Sequence, residues 1–121
     1  MLFDMKLKKL QQEPSLKKAT KTLQKLLKVS DWDLKVKVAN AKEVNYVARE
    51  EAYACIQYDI GYMQAIIRIS EISEDKLFSL IHEMLHLYFI NNFIKLDPDK
   101  EEKVINDLST IIRNAYDGIK E

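Results

Sequence analysis

The 121-residue chain is poor in the residues that punctuate or staple a fold: one cysteine, two glycines, two prolines and one tryptophan. A lone cysteine, Cys55, cannot close an internal disulfide, which excludes a disulfide scaffold and fits a reducing, cytoplasmic compartment. So few glycines and prolines exclude long flexible linkers, and no internal repeat is visible, so residues 1–121 read as a single domain. The formal net charge is zero, which removes any global attraction to nucleic acid or an anionic membrane. No apolar run approaches the ~18 residues needed to span a bilayer. The start, Met1-Leu2-Phe3-Asp4-Met5-Lys6, lacks the apolar core of a signal peptide. Histidine is scarcer still in effect: there are two, and they lie four residues apart.

What is present has clear periodicity. Residues 1–12 read as a short helix or a loosely docked arm. Pro14-Ser15 reads as a helix start with Ser15 as cap, and Leu16, Ala19, Leu23, Leu26 and Leu27 share one face of a helix to about Val29. Residues 1–28 carry eight lysines against Asp4 and Glu13, but the lysines mostly complete the amphipathic pattern, so nucleic-acid binding is not expected. Trp32 to Val38 alternates apolar and charged and reads as a strand. Residues 39–51 read as a turn or irregular piece. Residues 52–58 and 63–69 read as two further strands, joined as a hairpin through Asp59-Ile60-Gly61. Ser73 is the expected cap of a helix over 74–91, apolar on nearly all sides and therefore buried. Asp97-Pro98 opens a last helix with an apolar stripe, ending near Gly118. The expected class is α+β, with a small three-stranded, possibly four-stranded, mostly antiparallel sheet.

The buried helix carries His82-Glu83-Met84-Leu85-His86. Positions i and i+4 lie one turn apart on the same helix face, so both imidazoles can grip one metal ion, with the glutamate within reach of a water on it. A random chain of this length shows this HExxH pattern in well under about 1% of cases. Two imidazoles and a carboxylate in apolar surroundings also demand partners, which a metal and its water provide.

A catalytic zinc usually takes three protein ligands. Extended versions of the motif with a third histidine are excluded, because positions 89, 90 and 92 are Phe89, Ile90 and Asn92. The third ligand is therefore expected to be a carboxylate, most simply from the last helix: Asp97, Asp99, Glu101, Glu102 or Asp107. Helix phase puts Glu101 near the middle of the apolar stripe and Glu102 toward its edge.

With these elements in place the chain resembles the gluzincin-type zinc metallopeptidases, especially the minigluzincins and the small phage and mobile-element enzymes. The resemblance rests on the HExxH helix and on Glu102, Ile105, Asn106, Leu108 and Ser109, which match the spacing of the glutamate helix in that family. It covers the remaining chain in layout only, and the interval from His86 to Glu102 is shorter than in the large members. The resemblance implies a zincin-like fold, Zn2+ as cofactor, and His82, His86 and Glu102 as ligands, with Glu101 as the alternative. It implies Glu83 as the catalytic base in hydrolysis of a peptide or protein substrate. It further implies a substrate-pairing edge strand at 63–69 near Ile66, Ile67 and Arg68, Asn106 orienting a histidine, and Tyr88 or Tyr116 near the oxyanion. The arm at 1–12 would be a candidate cover for the cleft. The competing reading is a zinc-stabilised binding or regulatory module with little peptidase activity.

Overall fold

The computed structural model describes residues 14–120. The arm expected at 1–12 lies outside them. In chain order the elements are α1 (Pro14–Leu26), β1 (Asp33–Ala39), α2 (Ala41–Ala48), β2 (Ala54–Asp59), β3 (Gln64–Ser70), α3 (Lys76–Asn91) and α4 (Pro98–Lys120). The class is α+β. No helix among the described residues is long and apolar enough to cross a membrane.

The sheet order is β1-β3-β2, with β3 parallel to β1 and antiparallel to β2. The expected hairpin of β2 and β3 is present, but the sheet is mixed rather than mostly antiparallel, and it has three strands among the described residues. The strand expected to form a substrate-pairing edge, β3, is instead central. Its Ala65, Ile67 and Ile69 are buried against the helices, with Ile67 and Ile69 fully so. A strand paired on both sides has no free backbone edge to offer.

Residues alternate across the sheet as pleating requires. Leu34 and Val36 from β1, Ala54 and Ile56 from β2, and the buried residues of β3 face α1 and α3. Leu16, Ala19 and Leu23 of α1 and Leu80, Ile81, Met84 and Leu87 of α3 complete that core. The opposite face carries Lys37, Arg68 and Gln57, tied to Glu43 of α2 by a Lys37 ion pair (2.9 Å) and an Arg68 Nε donation (3.2 Å). Trp32 is buried beside β1, and its Nε1–H donates to Asn91 Oδ1 (2.9 Å), pinning the end of α3 to the start of the sheet.

Several boundaries differ from expectation, and two of them, the end of α1 and the start of β3, share one physical reason. With almost no glycine, left-handed backbone falls on Lys28, Arg49, Met63 and Phe93, all with φ between 52° and 61°. Lys28 follows α1, which stops at Leu26 rather than Val29, and the Val29 N–H returns to the Gln24 carbonyl (2.9 Å). Met63 closes the hairpin turn instead of opening β3. Ser15 is helical rather than a cap, and Gly118 is helical rather than terminal, because α4 continues to Lys120. Ser73 does not cap α3; its hydroxyl meets that of Ser79 at 2.9 Å. Asp75 is the cap, accepting from the Phe78 N–H (2.9 Å) and taking Arg113 Nε on both oxygens (3.3 and 3.2 Å). Residues 39–51 are not irregular. Asn40 caps α2 by accepting from the Glu43 N–H (2.8 Å), and Val44 is fully buried.

Candidate metal centre and cleft

Helix α3 is buried along most of its length, and its one polar face presents His82, Glu83 and His86. Helix α4 packs against it, begins at a cap where Asp97 Oδ1 accepts from the Lys100 N–H (3.1 Å), and brings Glu101 and Glu102 to the two rings. The negative charges also suit the positive end of α4, so their place there costs the helix nothing.

The four groups meet in a definite pattern. His86 Nε2 lies 3.2 Å from His82 Nε2 and 3.1 Å from Glu102 Oε1. His82 Nε2 lies 3.4 Å from Glu102 Oε2. Glu101 Oε2 approaches His86 from its other side, 3.5 Å from Nδ1. Thus Glu102 converges with both Nε2 atoms, whereas Glu101 stands behind one ring. Among the described residues, His82, His86 and Glu102 form a group able to hold a metal ion. Asp97 is spent on the cap, Asp107 pairs with Lys103 (2.9 Å), and Asp99 does not line the cleft.

Electrostatics sharpen the pattern. Burial pushes the His82 imidazole toward its neutral form, opposed by the Glu102 charge and by hydrogen bonds to Glu102 and Asn106. Asn106 thus contacts His82, the histidine on which an orienting partner acts. Glu83 is buried, and its Oε2 has no hydrogen-bond partner among the described residues. Its carboxyl is pushed up to about 8, by burial first and by the Glu102 charge second. A buried, unpartnered carboxylate oxygen beside a cluster of ring nitrogens is costly unless a cation or a hydrogen-bonding ligand comes to it.

The cluster opens into a cleft of about 970 Å³ between α3 and α4 on one side and β2 with the end of α2 on the other. Tyr53, Tyr58, Ile60, Phe93 and Ile94 are exposed on its rim. Cys55 lines it from β2, and burial raises its thiol pKa, so the thiol stays protonated at neutral pH. Tyr88 packs against the core and does not line the cleft, which removes it as an oxyanion donor in this arrangement. The Tyr116 side chain lies outside the described residues. The α2 wall, Val47 and Ala48, was not anticipated. Its available signal was Asn40 followed three residues later by Glu43, then apolar residues at 44, 47 and 48.

No family model matches the sequence, and no curated protein or solved structure shows significant similarity to it.

Proposed function

We propose that the chain is a zinc-dependent metallopeptidase with a zincin-like site, in which His82, His86 and Glu102 hold the ion and Glu83 is the catalytic base. The observation that carries the reading is the convergence of three ligand atoms beside the buried, unpartnered Glu83 oxygen. Ligands bonded at 2.0–2.1 Å around a tetrahedral ion stand about 3.3 Å from one another. Here the two Nε2 atoms stand 3.2 Å apart, and Glu102 places Oε1 3.1 Å from His86 and Oε2 3.4 Å from His82, each close to that spacing. Two imidazoles and a carboxylate also suit zinc chemically.

Three protein ligands would leave a fourth position, and His82, His86 and Glu102 line a cleft through which water and substrate would reach it. A purely structural zinc site is closed by four protein ligands, so the arrangement favours catalysis over a zinc-stabilised binding module. When bound, zinc supplies Lewis acidity, acidifying a coordinated water and polarising a carbonyl. A dication beside Glu83 also offsets the penalty that keeps its carboxyl protonated, so the group becomes available as a base near neutral pH. Glu83 then takes one proton from the attacking water. The water oxygen bonds to the scissile carbonyl carbon, the C–N bond breaks, and Glu83 returns the proton to the leaving amine.

An extended peptide fits the free edge of β2, the strand of the pair β2–β3 that has no second neighbour among the described residues. The exposed apolar rim suits large apolar side chains on either side of the scissile bond. The test pairs zinc content with hydrolysis of a peptide library. Wild-type protein is expected to hold about one zinc per chain and to cleave. Glu83→Gln is expected to keep the zinc and lose cleavage; full activity in that variant overturns the mechanism.

A further inference from the structure

We propose that Glu101 is a positioning residue that holds the orientation of the His86 ring from behind, not a metal ligand. Two consecutive glutamates of α4 approach the same imidazole from opposite sides. Glu102 Oε1 is 3.1 Å from Nε2, and Glu101 Oε2 is 3.5 Å from Nδ1. An ionised carboxylate only accepts hydrogen bonds, so Glu102 draws a proton to Nε2 in the empty site; with a cation on Nε2 the ring proton would sit on Nδ1, where Glu101 stands to accept it. The neutral ring then keeps its lone pair on Nε2, the atom that faces His82 Nε2 and Glu102. That is the tautomer a ligand histidine needs.

The two histidines are supported unequally. His82 is held by the neutral amide of Asn106, and His86 by a carboxylate. A carboxylate behind the ring makes the opposite nitrogen a stronger donor to a cation, and loss of such a partner typically costs about 10–100-fold in metal affinity. Glu101 is also the better shielded of the pair, at 29% side-chain exposure against 53% for Glu102, which strengthens its contact. Because both sit on one helix turn, docking α4 onto α3 sets the ligand and the positioning group in one step.

This inference rests on the metal-site reading, and its test separates the two. Zinc affinity is measured by competition with a chromophoric chelator for wild type, Glu101→Ala, Glu101→Gln and Glu102→Ala. Thermal unfolding of each metal-free variant reports on folding. In parallel, NMR of the zinc-loaded wild type and Glu101→Ala compares the His86 Nδ1–H proton, whose chemical shift and exchange rate report on an acceptor at Nδ1. Glu101→Ala is expected to weaken binding about 10–100-fold. Glu101→Gln, whose amide oxygen still accepts from Nδ1–H, should recover part of that loss, and Glu102→Ala should lose more than either. The His86 Nδ1–H signal should be shifted downfield and slow to exchange in wild type and should lose both features in Glu101→Ala. Wild-type affinity in both Glu101 variants, or a His86 Nδ1–H signal unchanged in Glu101→Ala, overturns the inference alone. Loss in Glu101→Ala equal to that in Glu102→Ala, with no recovery in Glu101→Gln, makes Glu101 a ligand and also overturns it. A wild-type chain that binds no zinc overturns the metal-site reading beneath it.

Discussion

Helices α3 and α4 build the site from opposite physical starting points. Along α3, Leu80, Ile81, Met84 and Leu87 are completely buried, and the polar groups sit inside that apolar shell. Along α4, only Ile105 and Ser109 are fully buried among the described residues, and Glu102 is half exposed. Burial therefore tunes the α3 groups, raising Glu83 and lowering His82. The α4 groups act through placement, as charges brought to the rings by helix phase. Under the proposed function, the buried helix with perturbed groups would supply the chemistry and the more exposed one the closing ligand.

The difference can be sharpened from its largest consequence downward. Glu83→Gln is expected to lower peptide hydrolysis by about 10²–10⁴-fold, measured as kcat/KM, because it removes a positioned proton acceptor. A loss below tenfold would mean that α3 is not the chemical half.

Next comes packing. Leu80→Ala on α3 should cost about 2–5 kcal/mol in denaturant unfolding, whereas Ile111→Ala on α4, 62% exposed, should stay within about 0.5 kcal/mol. Equal costs would erase the distinction between the helices.

The stability of metal-free protein should also depend on pH through α3. The folded-state pKa of Glu83, about 8, lies above its usual 4.5, so between those values the folded chain holds a proton that the unfolded chain has released. Stability from this group is present below pH 4.5 and is lost as pH rises through 8. His82 acts with the opposite sign: its depressed pKa costs stability as pH falls below 6.5. From pH 6.5 to 8 the Glu83 effect remains, a fall of roughly 2 kcal/mol. Equilibrium unfolding with a chelator present should show that fall in wild type and a flat profile in Glu83→Gln. A slope unchanged by the substitution would place the proton elsewhere.

The smallest effect concerns the joint between the helices. Asp75 caps α3 and binds Arg113 of α4, so Asp75→Ala should cost about 1 kcal/mol, mostly from the lost cap.

Much of the site-bearing half was legible in the residues. The two histidines sit in one motif, and the apolar positions around them mark a buried helix. Asp97-Pro98 likewise marks the start of α4, as found. The sheet topology was less legible, because local alternation does not reveal which strands pair over a distance. One signal was available: Ala65-Ile66-Ile67 interrupts the alternation with three apolar residues in a row, the mark of a central strand rather than an edge. Element ends were obscured by the shortage of glycine, since Lys28, Arg49 and Phe93 take left-handed backbone without advertising it. Helix α2 is only eight residues long and is announced mainly by Asn40 and Glu43. Glu101 and Glu102 differ by about 100° of helix phase, and the docking of α4 on α3 decides which of them meets both Nε2 atoms.

The central claim is tested most directly by diffraction from crystals grown with zinc, using anomalous scattering at the zinc edge. The account predicts one strong peak about 2.0–2.2 Å from His82 Nε2, His86 Nε2 and a Glu102 oxygen, with Glu101 on the far side of His86. A peak bound through Glu101, or no peak between the two histidines, would contradict it.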